Sequence, residues 1–366
     1  MYFKDTEGEG TRRRMGLVQQ PENVSFMYPA GHFRYDSRGV QSAVLRRGDV
    51  RRMTFIKVEN LRKQFDPPRG IVAVDGLSFH MDEGEIYSLL GPNGAGKTTT
   101  ISMLSCLLRP SGGDARVGGH SVREHPQAAK ELIGVVPQDI ALYPELSARE
   151  NLVFWGKMYG LSGAALRRRV GEVLEIIDLT ERQDERIEKY SGGMKRRVNI
   201  GVALLHEPRA LYLDEPTVGI DPQSRRSILD VILQFRDRGM TILYTTHYMA
   251  EAQELSDRIG IMDHGRMLAE GTHEELVKIV GEEAHVELTV DRHLEQLATA
   301  WREMDGVARV TVEEERAILL VPDATVTLPR LFETAAAVQA RINEVNVTEP
   351  DLEMVFLHLT GRALRD

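Results

Sequence analysis

Cysteine is all but missing from this chain. Cys106 stands alone among 366 residues, which excludes an internal disulfide and a cysteine-built zinc site. Its setting, ISMLSCLL, reads as a buried helix face on which a thiol packs as a small hydrophobe. No run of about 18 apolar residues occurs, so no segment is long enough to cross a bilayer as a helix. The opening stretch, MYFKDTEGEGTRRRM, has no apolar h-region and does not read as a secretory signal. These absences together predict a reducing, cytoplasmic setting. Positive charge is also scarce: 46 Lys and Arg face 55 Asp and Glu, for a net charge of −9. Residues 1–52 hold ten Lys/Arg against six Asp/Glu, or +4, so the remaining 314 residues sum to −13. An acidic body lacks the basic face that phosphate-backbone contacts need, and no nucleic-acid partner is expected. Arg167–Arg169 reads as a solvated helix face.

The rest of the composition is that of an ordinary globular protein: 42% hydrophobic, 28% charged, mean hydropathy −0.28. The length allows two or three domains with cores of their own. Residues 1–52 show no sustained periodicity and scatter Gly, Pro, Arg and Ser. They read as a disordered extension, or as untranslated sequence with Met53 the start; a basic tail on anionic lipid is the weaker reading.

From Met53 onward the periodicity becomes regular. FIKVENL and VDGLSFHM alternate like strands of an antiparallel edge sheet, and GEIYSLLG is a short buried strand entering a glycine loop. KTTTISMLSCLL reads as the helix that leaves the loop. About residues 145–205 form a helical insert, after which RALYLDEP and MTILYTTH read as strands. SRRSILDVILQFRDRG is an amphipathic helix between them, closed by a C-terminal glycine. Strand–helix alternation of this kind predicts an α/β fold with a mostly parallel sheet. After about residue 282 the order becomes strand, helix, two strands, helix and strand, that of a small α+β ferredoxin-like domain, followed by the helix DLEMVFLHLTGRAL.

Three stretches carry chemistry. GPNGAGKT, Gly91 to Thr98, fits the P-loop pattern between an apolar strand and a helix. Its glycines allow close backbone approach to phosphates, Lys97 neutralises β/γ oxygens, and the Thr98 hydroxyl ligates Mg²⁺. LYLDEP sets Asp214 and Glu215 at a strand end, where Asp214 holds Mg²⁺ through water and Glu215 polarises the attacking water. His247 follows the next apolar strand, at the same C-terminal edge where parallel sheets gather ligands, and is expected to touch the γ-phosphate. A further stretch, YSGGMKRRVNIGVALL, presents a second glycine-rich helix start at Ser191, Gly192 and Gly193, which is again an anion site. One nucleotide does not need two cradles.

The set resembles the ATP-binding subunit of an ABC transporter over about residues 53–281, a P-loop NTPase cassette. The P-loop, VPQ at Gln138, SGG at Ser191–Gly193, LYLDEP, GIDP around Asp221 and His247 occur in the family's order. The resemblance implies ATP bound by Gly91, Pro92, Asn93, Gly94, Ala95, Gly96, Lys97, Thr98 and Thr99, with Phe65 in the place of the adenine-stacking aromatic. That place is commonly Tyr; Phe keeps the π face and loses the hydroxyl. It further implies that Gln138 reaches Mg²⁺ and the attacking water, so that Thr98, Gln138 and Asp214 form the metal set and Glu215, His247, Gln138 and Lys97 the catalytic set. Asp221 falls in the loop linking two cassettes.

In this family SGG binds the γ-phosphate held on another subunit's P-loop, which implies a second cassette as partner, in the simplest case a homodimer. YSGGM, in place of the commoner LSGGQ, and TEPDLEMVFLHLTGR resemble the drug-resistance and sodium-export branch. The implied partner is then an integral-membrane permease on a separate chain, with this subunit peripheral on the inner face of the cell membrane. About residues 139–160 would form much of the docking groove, although core packing of the helical insert explains their aromatics equally well. The module from 282 to 366 is associated with assembly and regulation in that branch; a stabilising appendage is the plainer alternative. Two other readings fit less well. Ribosome-acting relatives usually carry two cassettes in one chain, and DNA-acting ones place a coiled coil or zinc module between P-loop and signature. Here those motifs lie 94 residues apart, from Lys97 to Ser191, with neither. Retention of Glu215 and His247 argues against a regulator without turnover.

Overall fold

The computed structural model describes residues 53–67, 70–281, 283–313 and 316–361. The reading of residues 1–52 lies outside the described residues.

In chain order, β1 (Thr54–Gln64) and β2 (Val72–Asp82) pair antiparallel as a hairpin. β3 (Ile86–Leu90) leads into α1 (Lys97–Leu104), and β4 (Gly112–Val117) and β5 (His120–Ser121) complete a four-stranded sheet of order β2-β1-β4-β5. Then come α2 (Pro126–Glu131), β6 (Ile133–Val136), α3 (Ala148–Met158), α4 (Gly163–Ile176) and α5 (Gly192–Leu204). β7 (Ala210–Asp214), α6 (Pro222–Asp237), β8 (Thr241–Thr246), α7 (Met249–Leu255), β9 (Arg258–Asp263), β10 (Arg266–Gly271) and α8 (His273–Val277) follow. The second sheet has the order β10-β9-β3-β8-β7-β6 and is parallel except for β10. Every residue of β3, β7 and β8 is buried, as expected of parallel strands covered on both faces. Two clusters make the core. Phe79, Met81, Tyr87 and Ile101 fill the space between the sheets, and Leu152, Val173, Val198 and Phe235 pack the helical side.

Local chemistry sets the helix ends. α3 starts on a capping box, in which the Ser147 hydroxyl accepts from the Glu150 N–H and the Glu150 carboxylate accepts from the Ser147 N–H. α6 is capped by Asp221 and closed by Gly239, whose φ of 84° is the left-handed stop predicted from its sequence. The helix after the P-loop is shorter than its apolar pattern predicts. It ends at Leu104, and Cys106, at φ 57°, turns the chain instead of continuing a helix face.

The remaining chain, β11 (Ala284–Val290), α9 (Leu294–Arg302), β12 (Arg309–Glu313), β13 (Arg316–Val321), α10 (Ala324–Ala337) and β14 (Ile342–Thr348), forms an antiparallel sheet of order β12-β13-β11-β14. That is the ferredoxin-like topology, with Trp301 fully buried in its core. α10 begins at Ala324, where the Asp323 carboxylate caps the N–H groups of Thr325 and Val326. The last helix, α11 (Leu352–Thr360), belongs to another core. Its Leu352, Val355 and Phe356 pack with Leu90, Ala252, Ile259, Ile261 and Leu276, against the parallel sheet and beside α7 and α8.

Candidate active site

The P-loop runs from the end of β3 to α1. Gly94 and Gly96 hold φ values of 82° and 104°, which L side chains rarely adopt. A Cβ at Gly96 would stand 2.5 Å from the Ala73 carbonyl, and one at Gly91 would run into the Met262 carbonyl. The loop is therefore closed on its protein side, while Gly94 and Asn93 face outward. The N–H groups of α1's first turn open into this hollow, as an anion site requires. Lys97 is buried, with its ammonium bent back onto the carbonyls of Gly91 at 2.6 Å and Pro92 at 3.0 Å.

The third partner of Lys97 is Glu215, at 2.9 Å. Glu215 follows β7 with a left-handed φ of 43°, a conformation costing a non-glycine residue about 1–2 kcal/mol. Its N–H donates to the Thr245 hydroxyl at 3.0 Å, which helps hold that turn. The turn swings the carboxylate from the strand end toward Lys97. His247 Nδ1 lies 3.4 Å from the same carboxylate, and the Gln138 amide 3.4 Å from its other oxygen. Lys97, Gln138, Glu215 and His247, separated by up to 150 residues in sequence, thus converge on one carboxylate. The arrangement can orient a water with Glu215 as acceptor, while Lys97 and His247 face developing negative charge.

The residues read as a metal set fit a magnesium ion. Asp214 is buried, its carboxylate accepts from the Thr245 hydroxyl at 2.7 Å, and the Thr98 hydroxyl lies near enough to favour its charged form. Burial pushes the Asp214 carboxyl up from its usual range, against the lowering effect of those hydroxyls; a bound cation would reverse that preference. Among the described residues no cluster of three His, Cys, Asp or Glu could cage a metal. One carboxylate, a hydroxyl and an amide oxygen are the sparse, hard donor set of an ion that takes further ligands from water and phosphate. Phe65 is exposed at the far end of β1, with the Lys63 ammonium 5.1 Å from its ring centre.

Sequence reasoning missed Glu251. It is 3% exposed and accepts from the hydroxyls of Thr217 at 2.7 Å, Tyr244 at 2.8 Å and Thr246 at 2.9 Å. Arg225 adds a contact at 3.6 Å. Burial keeps the Tyr244 phenol well above its ordinary pKa, so it remains a donor. Thr217 lies two residues after Glu215, and Thr246 immediately before His247. One carboxylate therefore ties together the two loops that carry those side chains. The only signal in sequence was an acid on the inner face of a seven-residue helix, and nothing local sets it apart from a solvated one.

The second glycine turn is built as its sequence predicts, in another place. Ser191 caps α5, its hydroxyl accepting from the Met194 N–H at 3.2 Å, and Ser191 and Gly192 are exposed. Gly193 packs on Ser224, so a Cβ there would collide with the first turn of α6, beside its exposed cap Asp221. Among the described residues no hydrogen bond or ion pair joins Ser191–Gly193 to Gly91–Thr99. The carboxylate of Asp221 is held below its usual range by the N–H of Ser224. The starts of α5 and α6 thus lie side by side, and among the described residues neither bonds to the chain's own P-loop.

Comparison with known proteins follows this geometry. The family profile described as ABC transporter matches residues 74–218. The linearmycin resistance ATP-binding protein of Bacillus subtilis is 47% identical over 313 residues, covering 85% of this chain and all of that protein. The daunorubicin/doxorubicin resistance ATP-binding protein of Streptomyces peucetius is 39% identical, over 81% of this chain and 90% of its own. Among solved structures, a dimeric ATP-binding cassette in a post-hydrolysis state with ADP and Pi superposes with a TM-score of 0.54 at 26% identity, over 59% of this chain and 98% of that one. An ATP-binding subunit of an ABC transporter superposes with a TM-score of 0.55 at 31% identity, over 62% and 94%.

Proposed function

This chain belongs to the ABC transporter family as an ATP-binding, ATP-hydrolysing subunit, and from that premise we propose that it works as a homodimer driving export through a separate membrane permease. The observation that carries the reading is the separation of its two anion sites. Lys97 and Glu215 sit in one hollow, while Ser191 and Gly192 are exposed and, among the described residues, make no bond to it. A second copy can bring its ATP to that exposed turn and receive the same service in return, which is an isologous arrangement. The solved cassette with ADP and Pi is itself dimeric, in support.

In each composite site Gly91–Thr99 would hold the phosphates and Phe65 would stack on the adenine. Thr98, Asp214 and Gln138 would hold Mg²⁺, which when bound neutralises phosphate charge and orients the transferred group. Lys97 exchanges its Glu215 contact for phosphate oxygens. Glu215, released from that pair, accepts the proton of the attacking water, and His247 donates toward the γ-phosphate. Asp221, at the cap of α6 beside Gly193, lies at the seam between copies.

No helix among the described residues is long and apolar enough to cross a membrane; the transport path in this reading is that of the separate permease. Ile140, Tyr143, Met158 and Tyr159 remain exposed around α3 and give that permease an apolar surface against which to dock, on the inner face of the cell membrane. The relatives' names carry linearmycin, daunorubicin, doxorubicin and Nod factor; a cargo of that kind is the one we assign.

Ser191→Arg tests the composite site. A bulky cation fills the outward turn without touching the chain's own P-loop. Binding of a fluorescent ATP analogue should stay within about threefold of wild type, while phosphate release falls by more than about tenfold. Turnover at the wild-type rate would show that each P-loop works without a partner's glycine turn, and the homodimer reading would fall.

A further inference from the structure

The guanidinium of Arg196 is buried on α5, five residues beyond Ser191, at 3% exposure. Among the described residues it makes no ion pair with any carboxylate. Its two terminal nitrogens donate instead to two backbone carbonyls of the loop after β6, Pro137 at 2.7 Å and Gln138 at 2.6 Å. The third, Nε, is buried without a partner. Desolvation draws its pKa down from the ordinary value, yet an arginine stays charged. Asp139 and Asp214 act on it only through space, without a direct ion pair, and a buried cation so placed persists only where its bonds are strong and well aimed. The same loop is fastened once more, by the Ala141 N–H to the Asn199 side chain at 3.4 Å, one helical turn along α5.

At its start α5 carries the Ser191–Gly193 turn. The loop it grips carries Gln138, whose amide reaches Glu215 at 3.4 Å. α5 itself is packed by Met194, Val198, Ile200 and Leu204, a close packing that transmits displacement along its length. We propose that Arg196 is a positioning residue that locks the Ser191–Gly193 helix to Gln138, so that a phosphate engaged by the outward turn sets Gln138 against Glu215 in the chain's own site. Each ATP site of the dimer thereby senses whether the other is filled. The inference rests on the composite-site reading above and adds to it the residue that transmits between sites. Lysine cannot replace Arg196, because a single ammonium lacks the fork that spans two carbonyls.

The test is a double-mutant cycle in the full-length chain. Arg196→Ala should lower kcat by about tenfold or more while analogue binding changes less than about threefold, and in a Gln138→Ala background the same substitution should cost less than about threefold. The ATP dependence of turnover should flatten from sigmoidal toward a Hill coefficient of about 1. Arg196→Lys should recover less than half of the lost rate. Losses that multiply fully in the double variant, or a Hill coefficient unchanged from wild type, overturn the proposal. Should Arg196→Ala not fold, Arg196→Met and Arg196→Lys enter the same cycle under the same criteria. A wild-type chain that turns over ATP without cooperativity and never dimerises would refute the composite site, and this inference with it. A cooperative wild type with an additive cycle refutes the role of Arg196 alone.

Discussion

Glu215→Gln is expected to bind ATP, nearly cease hydrolysing it, and accumulate as an ATP-bound dimer. The carboxylate is the shared neighbour of Lys97, His247 and Gln138, at 2.9, 3.4 and 3.4 Å. Glutamine keeps its shape and loses its charge and basicity. Removing a positioned general base lowers turnover by about 10²–10⁴-fold. Nucleotide-free protein should also lose about 1–3 kcal/mol, because the buried Lys97 ammonium keeps its two carbonyls but forfeits its counter-charge. Phosphate restores that charge, so Mg·ATP should raise the melting temperature of the variant more than that of wild type. Phosphate release, calorimetry and size-exclusion chromatography in saturating Mg·ATP check the three parts. A variant that remains monomeric there would remove the closed dimer from the account of this subunit.

Glu251→Ala should be the most destabilising single change near the site. It strips one acceptor from the buried hydroxyls of Thr217, Tyr244 and Thr246 and leaves Arg225 without its nearest carboxylate on α7. Breaking a buried, charge-assisted network by removing one partner costs about 3–5 kcal/mol. Glu251→Gln retains one carbonyl and should cost about 1–2 kcal/mol. Turnover should fall about tenfold or more in the alanine variant, because the loops bearing Glu215 and His247 lose their common anchor. Urea midpoints compared with kcat separate the two effects. A loss under about 1 kcal/mol in Glu251→Ala would mean that water replaces the carboxylate and that the hub is not structural.

The chemistry in short motifs was legible because each depends on local backbone. A glycine loop between strand and helix makes a phosphate hollow wherever it occurs, and a fully apolar strand ending in Asp214 and Glu215 delivers both to the ligand edge of a parallel sheet. Helix ends were less legible, since Cys106 and Asp323 settle them through one backbone turn and one side-chain cap that compete with the apolar pattern.

By itself, then, the sequence determined the α/β cassette fold, the strand and helix order of the ferredoxin-like sheet behind it, and the motifs Gly91–Thr98 and Asp214–Glu215 at the ends of their strands. Only the tertiary structure decided how they are held. Lys97 meets Glu215 across the sheet, Arg196 grips carbonyls 58 and 59 residues away, Glu251 takes the Thr217 hydroxyl from 34 residues away, and α11 covers Leu90 and Ile261. Each joins a buried polar or apolar group to a partner far along the chain. Such pairing depends on which surfaces the completed fold removes from water, and no local pattern records it.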